Sequence, residues 1–181
     1  ARSAELGVTL VTEDESPRPG TSLEGLATLK TPFRPHGRVT AGNASGLSDG
    51  ATAAVLANEK MADQLGLTKK KRMVGFAFAG VAPEVMGVGP VPSTEKALAK
   101  AGMSISDIDL FEINEAFAIQ VLAFLDHFGI ADDDPRVNPK GGAIAVGHPL
   151  ASSGIRLMSN MARDFEVNPQ AKYGITTMCI G

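Results

Sequence analysis

A histidine, an asparagine and a lone cysteine, far apart along the chain, each sit in a stretch of small residues. Each of these side chains can move a proton or hold a charge in place. His148 belongs to the glycine-rich stretch Gly141–Gly154, GGAIAVGHPLASSG, between a turn and the start of a helical pattern. Pro149 suits a first helical turn, where its missing N–H costs nothing. The small residues on either side leave room for another backbone or a ligand. Asn114 opens NEAFA at a strand-to-helix junction, and Cys179 opens CIG after an apolar run. Ser45, in Gly42-Asn43-Ala44-Ser45-Gly46, is a fourth polar residue in such a cluster. In an α/β sheet these loops gather at the carboxyl ends of the strands, where sites form.

Every one of these residues also has a plain structural use. A histidine where a loop meets a helix serves equally well as a hydrogen-bonded structural group. Asn114 reads first as a helix N-cap, and otherwise as an amide that orients a water or an oxyanion. Cys179 reads as a small buried hydrophobe, unless His148 lies beside it and turns the thiol into a thiolate or a general base. Gly181, two residues on, offers an unobstructed N–H to a developing oxyanion. Spacing alone does not bring these groups together; as a set they fit nucleophilic or proton-transfer catalysis.

The elements that must position them alternate between strand and helix, which predicts an α/β fold with a largely parallel or mixed sheet. Strands are predicted at Leu6–Val11, Arg72–Val81, Ile108–Ile113 and Tyr173–Ile180. Ala51–Ala57 reads as a buried strand or a tightly packed helix. Ser22, or alternatively Thr21, caps a short helix through Leu29, Glu59–Leu65 is a helix stopped by Gly66, and Ser93 caps a helix through Ala101 that Gly102 closes. Pro83–Pro92 reads as a loop. The helix after Asn114, to Phe128, is apolar nearly all round and so is packed on most sides. The last helix carries Leu150, Leu157, Met158, Met161 and Phe165 at spacings that share one face.

At 181 residues the chain can bury a substantial core, and a net charge of −3 gives no basic excess for nucleic acid. Lys69-Lys70-Lys71-Arg72 reads as a solvated turn, or else as a short patch attracting a nucleotide phosphate. One cysteine permits no intrachain disulfide, which fits a reducing, cytoplasmic setting. No apolar run is long enough for a membrane span and no signal peptide is visible. The abrupt start, without Met, and the apolar finish suggest missing residues at both ends.

Four motifs in order resemble the C-terminal half of a thiolase, an acetyl-CoA acetyltransferase or 3-ketoacyl-CoA thiolase: GNASGLSDGA (Gly42–Ala51), NEAFA (Asn114–Ala118), GGAIAVGHPLASSG and CIG (Cys179–Gly181). VMGVGPVPS (Val85–Ser93) is similar to the family as well. The resemblance implies a five-layer αβαβα sandwich, of which this chain holds mainly the C-terminal βαβ half with a mixed sheet and a buried central helix. Residues 1–40 would be a connecting segment and partial strand from the preceding half, and 41–181 the C-terminal domain, truncated before its last strand.

The resemblance also implies acyl transfer between coenzyme A and acyl-CoA, by thiolytic cleavage of a 3-ketoacyl-CoA, of the β-oxidation type, or by Claisen condensation. Coenzyme A would be substrate, with no metal and no bound cofactor, no nucleic acid and no membrane. His148 would activate a nucleophilic cysteine and help bind the thioester oxygen. Asn114 would hold the water that completes this oxyanion site. Cys179 would remove the α-proton or deprotonate the CoA thiol, and the Gly181 N–H would serve a second oxyanion hole. Ser45 would contact the pantetheine arm, Phe33, Met86 and Phe117 would wall its tunnel, and Ala41 and Gly42 would border it. Without the family, core packing accounts for the two Phe and Met86.

The nucleophilic cysteine belongs to the family's N-terminal half, and this chain has no second Cys. The chain alone is therefore expected to be inactive, with the N-terminal half as partner in a homodimer or homotetramer. A non-catalytic CoA-binding or assembly fragment is the alternative, disfavoured because a binding module needs none of His148, Asn114 and Cys179. A ketoacyl-synthase-type enzyme is disfavoured by Cys179 before Ile-Gly. Intact mass of the purified source protein separates these readings: roughly twice the 18.8 kDa of this chain supports a missing half, and a mass near 18.8 kDa sinks it.

Overall fold

The computed structural model describes residues 7, 11–14, 16–68 and 71–180. The Leu6–Val11 strand expectation falls outside them except at Gly7 and Val11, and Gly181 lies outside as well. Helix α1 is Leu23–Ala27, started by Ser22, whose hydroxyl accepts from the Gly25 N–H. Helix α2 is Glu59–Gln64, capped by Asn58 Oδ1 on Met61 N and ended by Gly66 at φ +64°. Helix α3 is Pro90–Ala101, strand β1 Leu110–Ile113, and helix α4 Ala118–Phe128. A one-turn helix α5, Ala143–Val146, precedes the long helix α6, Leu150–Val167, and strand β2, Gly174–Thr177, closes the order.

The described sheet is these two strands, parallel rather than mixed, with Leu110 opposite Gly174 and Ile113 opposite Thr177. A parallel pair needs a long crossover, here the whole of α4 to α6. Alternation along β1 then sorts its side chains. Phe111 and Ile113 point to α3 and α4 and form a core with Leu98, Val121, Phe124 and Leu125. Leu110 points to α6, against Met161 and Phe165. Gly174 is what lets that helix settle, since a Cβ there would overlap Met161 Sδ.

Several sequence expectations change. Arg72–Val81 is irregular and mostly exposed, not a strand. A strand exists only where a neighbour accepts its hydrogen bonds; here the carbonyls of Phe76 and Phe78 are met by the ammonium groups of Lys100 and Lys96 from α3. Ala51–Ala57 is likewise irregular and exposed rather than strand or helix. Ser93 is no cap: α3 begins at Pro90, inside the expected loop, and the Ser93 hydroxyl donates back to the Pro90 carbonyl. Pro83–Val88 is a 3-10 segment. On α6, Leu157, Met161 and Phe165 are buried, whereas Leu150 and Met158 are exposed. On α4, Gln120, Val121, Phe124 and Leu125 are buried, while Ile119 and Leu122 are exposed in this chain.

One buried side chain runs against its surroundings. Glu112, on the α6 side of β1, is 1% exposed, receives a bond only from Asn160 Nδ2 at 3.4 Å, and keeps Oε1 without a protein partner. Burial pushes its carboxyl up to about 7; Asp164 adds to the rise, while Asn160, Arg156 and Lys140 oppose it. A folded value above the unfolded 4.5 means the folded state binds more protons between pH 4.5 and 7. Stability therefore falls as pH rises through that window. Glu112→Gln, measured by urea unfolding of the intact protein, is expected to gain on the wild type on the order of 2 kcal/mol between pH 5 and pH 8; a difference independent of pH refutes this.

Candidate active site

Asn114 is placed by the sheet. Its N–H donates to the Thr177 carbonyl at 2.9 Å, so pairing runs one residue past β1 and leaves the side chain at the carboxyl end, wholly buried. It is not a helix cap, because α4 starts at Ala118 with Phe117 in the cap position. A second device holds the preceding residue. The Asn138 amide accepts from Ile113 N at 2.7 Å and donates to Ile113 O at 2.9 Å, standing in for a neighbouring strand.

His148 is locked from three sides. Its backbone N–H donates to Gly46 O at 3.0 Å. Nδ1 lies 2.7 Å from Ser153 Oγ, which itself donates to Pro149 O at 3.1 Å. A hydroxyl that gives its hydrogen to a carbonyl accepts from the ring, so Nδ1 carries the proton. Nε2, the free nitrogen, then accepts from Asn114 Nδ2 at 3.2 Å. Burial lowers the pKa of the imidazole, and the Arg156 charge lowers it further, so the ring is neutral near pH 7.

Cys179 is buried and donates to Gln120 Oε1 at 3.2 Å, while Gln120 Nε2 donates to Asn114 O at 3.1 Å. The thiol reaches the imidazole through Gln120 and Asn114 rather than by touching it. Burial pushes the Cys179 thiol up, against smaller lowering effects from Gln120 and the backbone. Asn114 Oδ1 is buried without a partner among the described residues, an acceptor that only a further donor can satisfy.

The motifs interlock around this line. Gly147, at φ +86°, lets the first motif press in, since a Cβ there would overlap Ser48 Oγ. Glu115 takes Asn138 Nδ2 at 2.9 Å and Ile144 N at 3.1 Å, fixing the turn before α5, and Gly142 leaves space for its carboxylate. Ala44 bridges Phe117, and Ser45 N donates to Ala116 O at 2.9 Å. Phe33, exposed, sets its ring edge-to-face on Phe117 with centroids 6.3 Å apart. Met86 lies in the 3-10 segment packed on α4, and Gly42 rests on Leu26 and Leu29 of α1 and its C-terminal side with Ala41 exposed beside it. The structure thus gathers Asn114, His148 and Cys179, and separately Ser45, Phe33 and Phe117. Gly181 is outside the described residues.

Gln120, Ser153, Asn138 and Glu115 went unread in the sequence. Gln120 carried a signal, as a polar residue inside an otherwise apolar stretch; Asn138 carried one in the turn letters Asn138-Pro139-Lys140-Gly141. Among the described residues no group of His, Cys, Asp and Glu is arranged to hold a metal, and no helix is long and apolar enough to cross a membrane.

Followed by NMR in the intact protein, the His148 ring is expected to titrate below the ordinary histidine value of about 6.5. Arg156→Met raises that midpoint but leaves it below the ordinary value, because burial is the larger cause. A midpoint unmoved by the substitution removes Arg156 from the account.

The chain matches the family model "Thiolase, C-terminal domain" over residues 67–181 and "Thiolase, N-terminal domain" over residues 3–60. It is 53% identical over 175 residues to the 3-oxoadipyl-CoA/3-oxo-5,6-dehydrosuberyl-CoA thiolase of Escherichia coli K12, covering 96% of this chain and 43% of that protein. It is 50% identical to a 3-ketoacyl-CoA thiolase of Aliivibrio fischeri, covering 96% and 45%. The crystal structure of human mitochondrial 3-ketoacyl-CoA thiolase in complex with CoA superposes with a TM-score of 0.87 at 43% identity, over 94% of this chain and 43% of that one. The chain spans less than half the length of these relatives, and it belongs to the thiolase family.

Proposed function

We propose that the full-length protein transfers acyl groups between coenzyme A and acyl-CoA, cleaving 3-ketoacyl-CoA thioesters in the degradative direction. The observation that carries this is the continuous hydrogen-bonded line from Ser153 through His148, Asn114 and Gln120 to Cys179. A neutral imidazole with Nε2 unprotonated suits a base for a nucleophilic cysteine from the N-terminal half. The same ring, once protonated, and a water held on Asn114 Oδ1 would face the thioester oxygen as charge develops on it.

Cys179 then acts as the second acid–base group. In cleavage it takes the proton of the CoA thiol; in condensation it takes the α-proton of the acyl unit. A thiol pushed up by burial is suited to holding a proton between such transfers. Gly181 would supply an N–H to the second oxyanion. Ser45, beside Phe117 and Phe33, would meet the pantetheine arm, with Met86, Ala41 and Gly42 bordering the channel. The relatives named for 3-oxoadipyl and β-ketoadipyl thioesters support a 3-ketoacyl substrate.

Exposed Phe76, Phe78, Ile119 and Leu122 support burial against further protein, which here would be the rest of the N-terminal half and a second copy in a homodimer or homotetramer. The lone cysteine of this chain supports a reducing, cytoplasmic setting.

In the full-length protein, Cys179→Ala is expected to lower turnover of a 3-ketoacyl-CoA by at least about 10² while still permitting acylation of the other cysteine. Mass spectrometry of the acyl-enzyme and steady-state rates over a series of chain lengths, with 3-oxoadipyl-CoA among them, provide the check. Loss of acylation in that variant reverses the roles, and no turnover by the wild type removes the activity.

A further inference from the structure

Gln120 is 5% exposed on a helix whose other buried residues are apolar, so its amide is costly to hold there unless both ends are paired. Both are. Oε1 accepts from Cys179 Sγ at 3.2 Å and Nε2 donates to Asn114 O at 3.1 Å. Behind it stands the one family-like segment to which the proposed chemistry assigns nothing beyond Met86, Val85–Ser93. Gly87 of that segment faces the side chain so closely that an added Cβ would come within 3.2 Å of Gln120 Cβ and 3.8 Å of Oε1. Thus the segment packs closely against the side chain whose amide lies between the two groups.

We propose that Gln120 is a positioning residue for Cys179, seated by Gly87, whose amide holds the thiol while it is protonated and turns an N–H to the sulfur when the proton leaves. This rests on the reading of Cys179 as a proton-moving group. Nε2 carries two hydrogens and only one is given to Asn114 O. The terminal torsion of a glutamine is broad, so a modest rotation brings the second hydrogen to the sulfur. A bond to a thiolate is charge-assisted and outweighs the neutral S–H bond it replaces. The other described groups of the cluster are Asn114 and the neutral ring of His148, and no ionised side chain shifts the thiol. The amide is therefore the side chain that eases the proton's departure against burial.

The test is the pH dependence of iodoacetamide alkylation of Cys179, read on its own peptide by mass spectrometry in the full-length protein. Thiolate attacks and iodide leaves, so the rate follows the thiolate fraction. Gln120→Met keeps the length and removes both polar ends; its midpoint is expected to rise by about one pH unit, roughly ten-fold less thiolate at fixed pH. Gln120→Glu keeps the shape but puts an acceptor and a negative charge beside the sulfur, and its midpoint is expected to lie higher still. Gly87→Ala crowds the amide without changing it and moves the midpoint the same way by less. A Met variant at or below the wild-type midpoint, or a Glu variant below the Met variant, overturns the proposal; an unmoved Gly87→Ala removes Gly87 from it. If Gln120→Met does not fold by circular dichroism, Gln120→Glu against wild type decides alone. Alkylation needs no turnover, so this outcome is separate from failure of the acyl-transfer reading.

Discussion

The register of β1 on β2 sets where each group in the site stands. Phe111 and Ile113 bind the strand to α3 and α4, Leu110 binds it to α6, and a slip of one residue would exchange the faces and drive Phe111 against Met161. The same pairing carries Asn114 to Thr177 O at the sheet's end. Because Phe111 and Ile113 are almost wholly buried, a slip exposes or crowds large side chains at several kcal/mol each. Asn114 inherits that rigidity without contributing to the core itself.

From that fixed point the order of the site grows by hydrogen bonds between neutral groups. Ser153, His148, Asn114, Gln120 and Cys179 have matched donors and acceptors along the line. A buried network of this kind is stable only when nearly every member is paired. Asn114 Oδ1, which has no partner among the described residues, is therefore the atom left to take a further donor. On the opposite face of β1 the arrangement is reversed. Glu112, Asp164, Arg156 and Lys140 are charged or titratable, and Lys140 pairs Asp164 at 2.5 Å. Arg156 reaches across this division and biases the imidazole toward its neutral form.

What could be read beforehand divides along the same physical line. Caps and stops are local, and Ser22, Gly66 and Gly102 were legible because each is decided within a few residues. Asn114, His148 and Cys179 were legible as members of family motifs, and their convergence only as what that resemblance implies, since no spacing connects positions so far apart. Arg72–Val81 failed because a strand is a property of two segments, and among the described residues no second segment pairs with it. Gln120 stood out as one amide in an apolar helix, but hydrophobic periodicity assigns only a face and is silent about what an amide on that face would bond. Ser153 was hidden inside a small-residue motif whose smallness accounted for it already.

The neutral state of this line has a chemical consequence. A thioester has no formal charge, so a site dressed with ionised groups would bind it no better and would hold water against it. His148 and Cys179, both kept uncharged by burial, would let the carbonyl of the proposed thioester replace water at little cost. In the proposed acyl transfer, charge would then appear only as the reaction proceeds, on the oxygen, the ring and the sulfur. The Asn114 amide already stands beside the ring, and the Gln120 amide would meet the sulfur after a modest rotation; dipoles held this close act most strongly in such a dry setting. Ionised partners for these two groups would remove that difference between the resting and reacting states. The same burial that pushes the thiol up is thus what makes its single amide partner matter, because in water a lost hydrogen bond is replaced at once and here it is not.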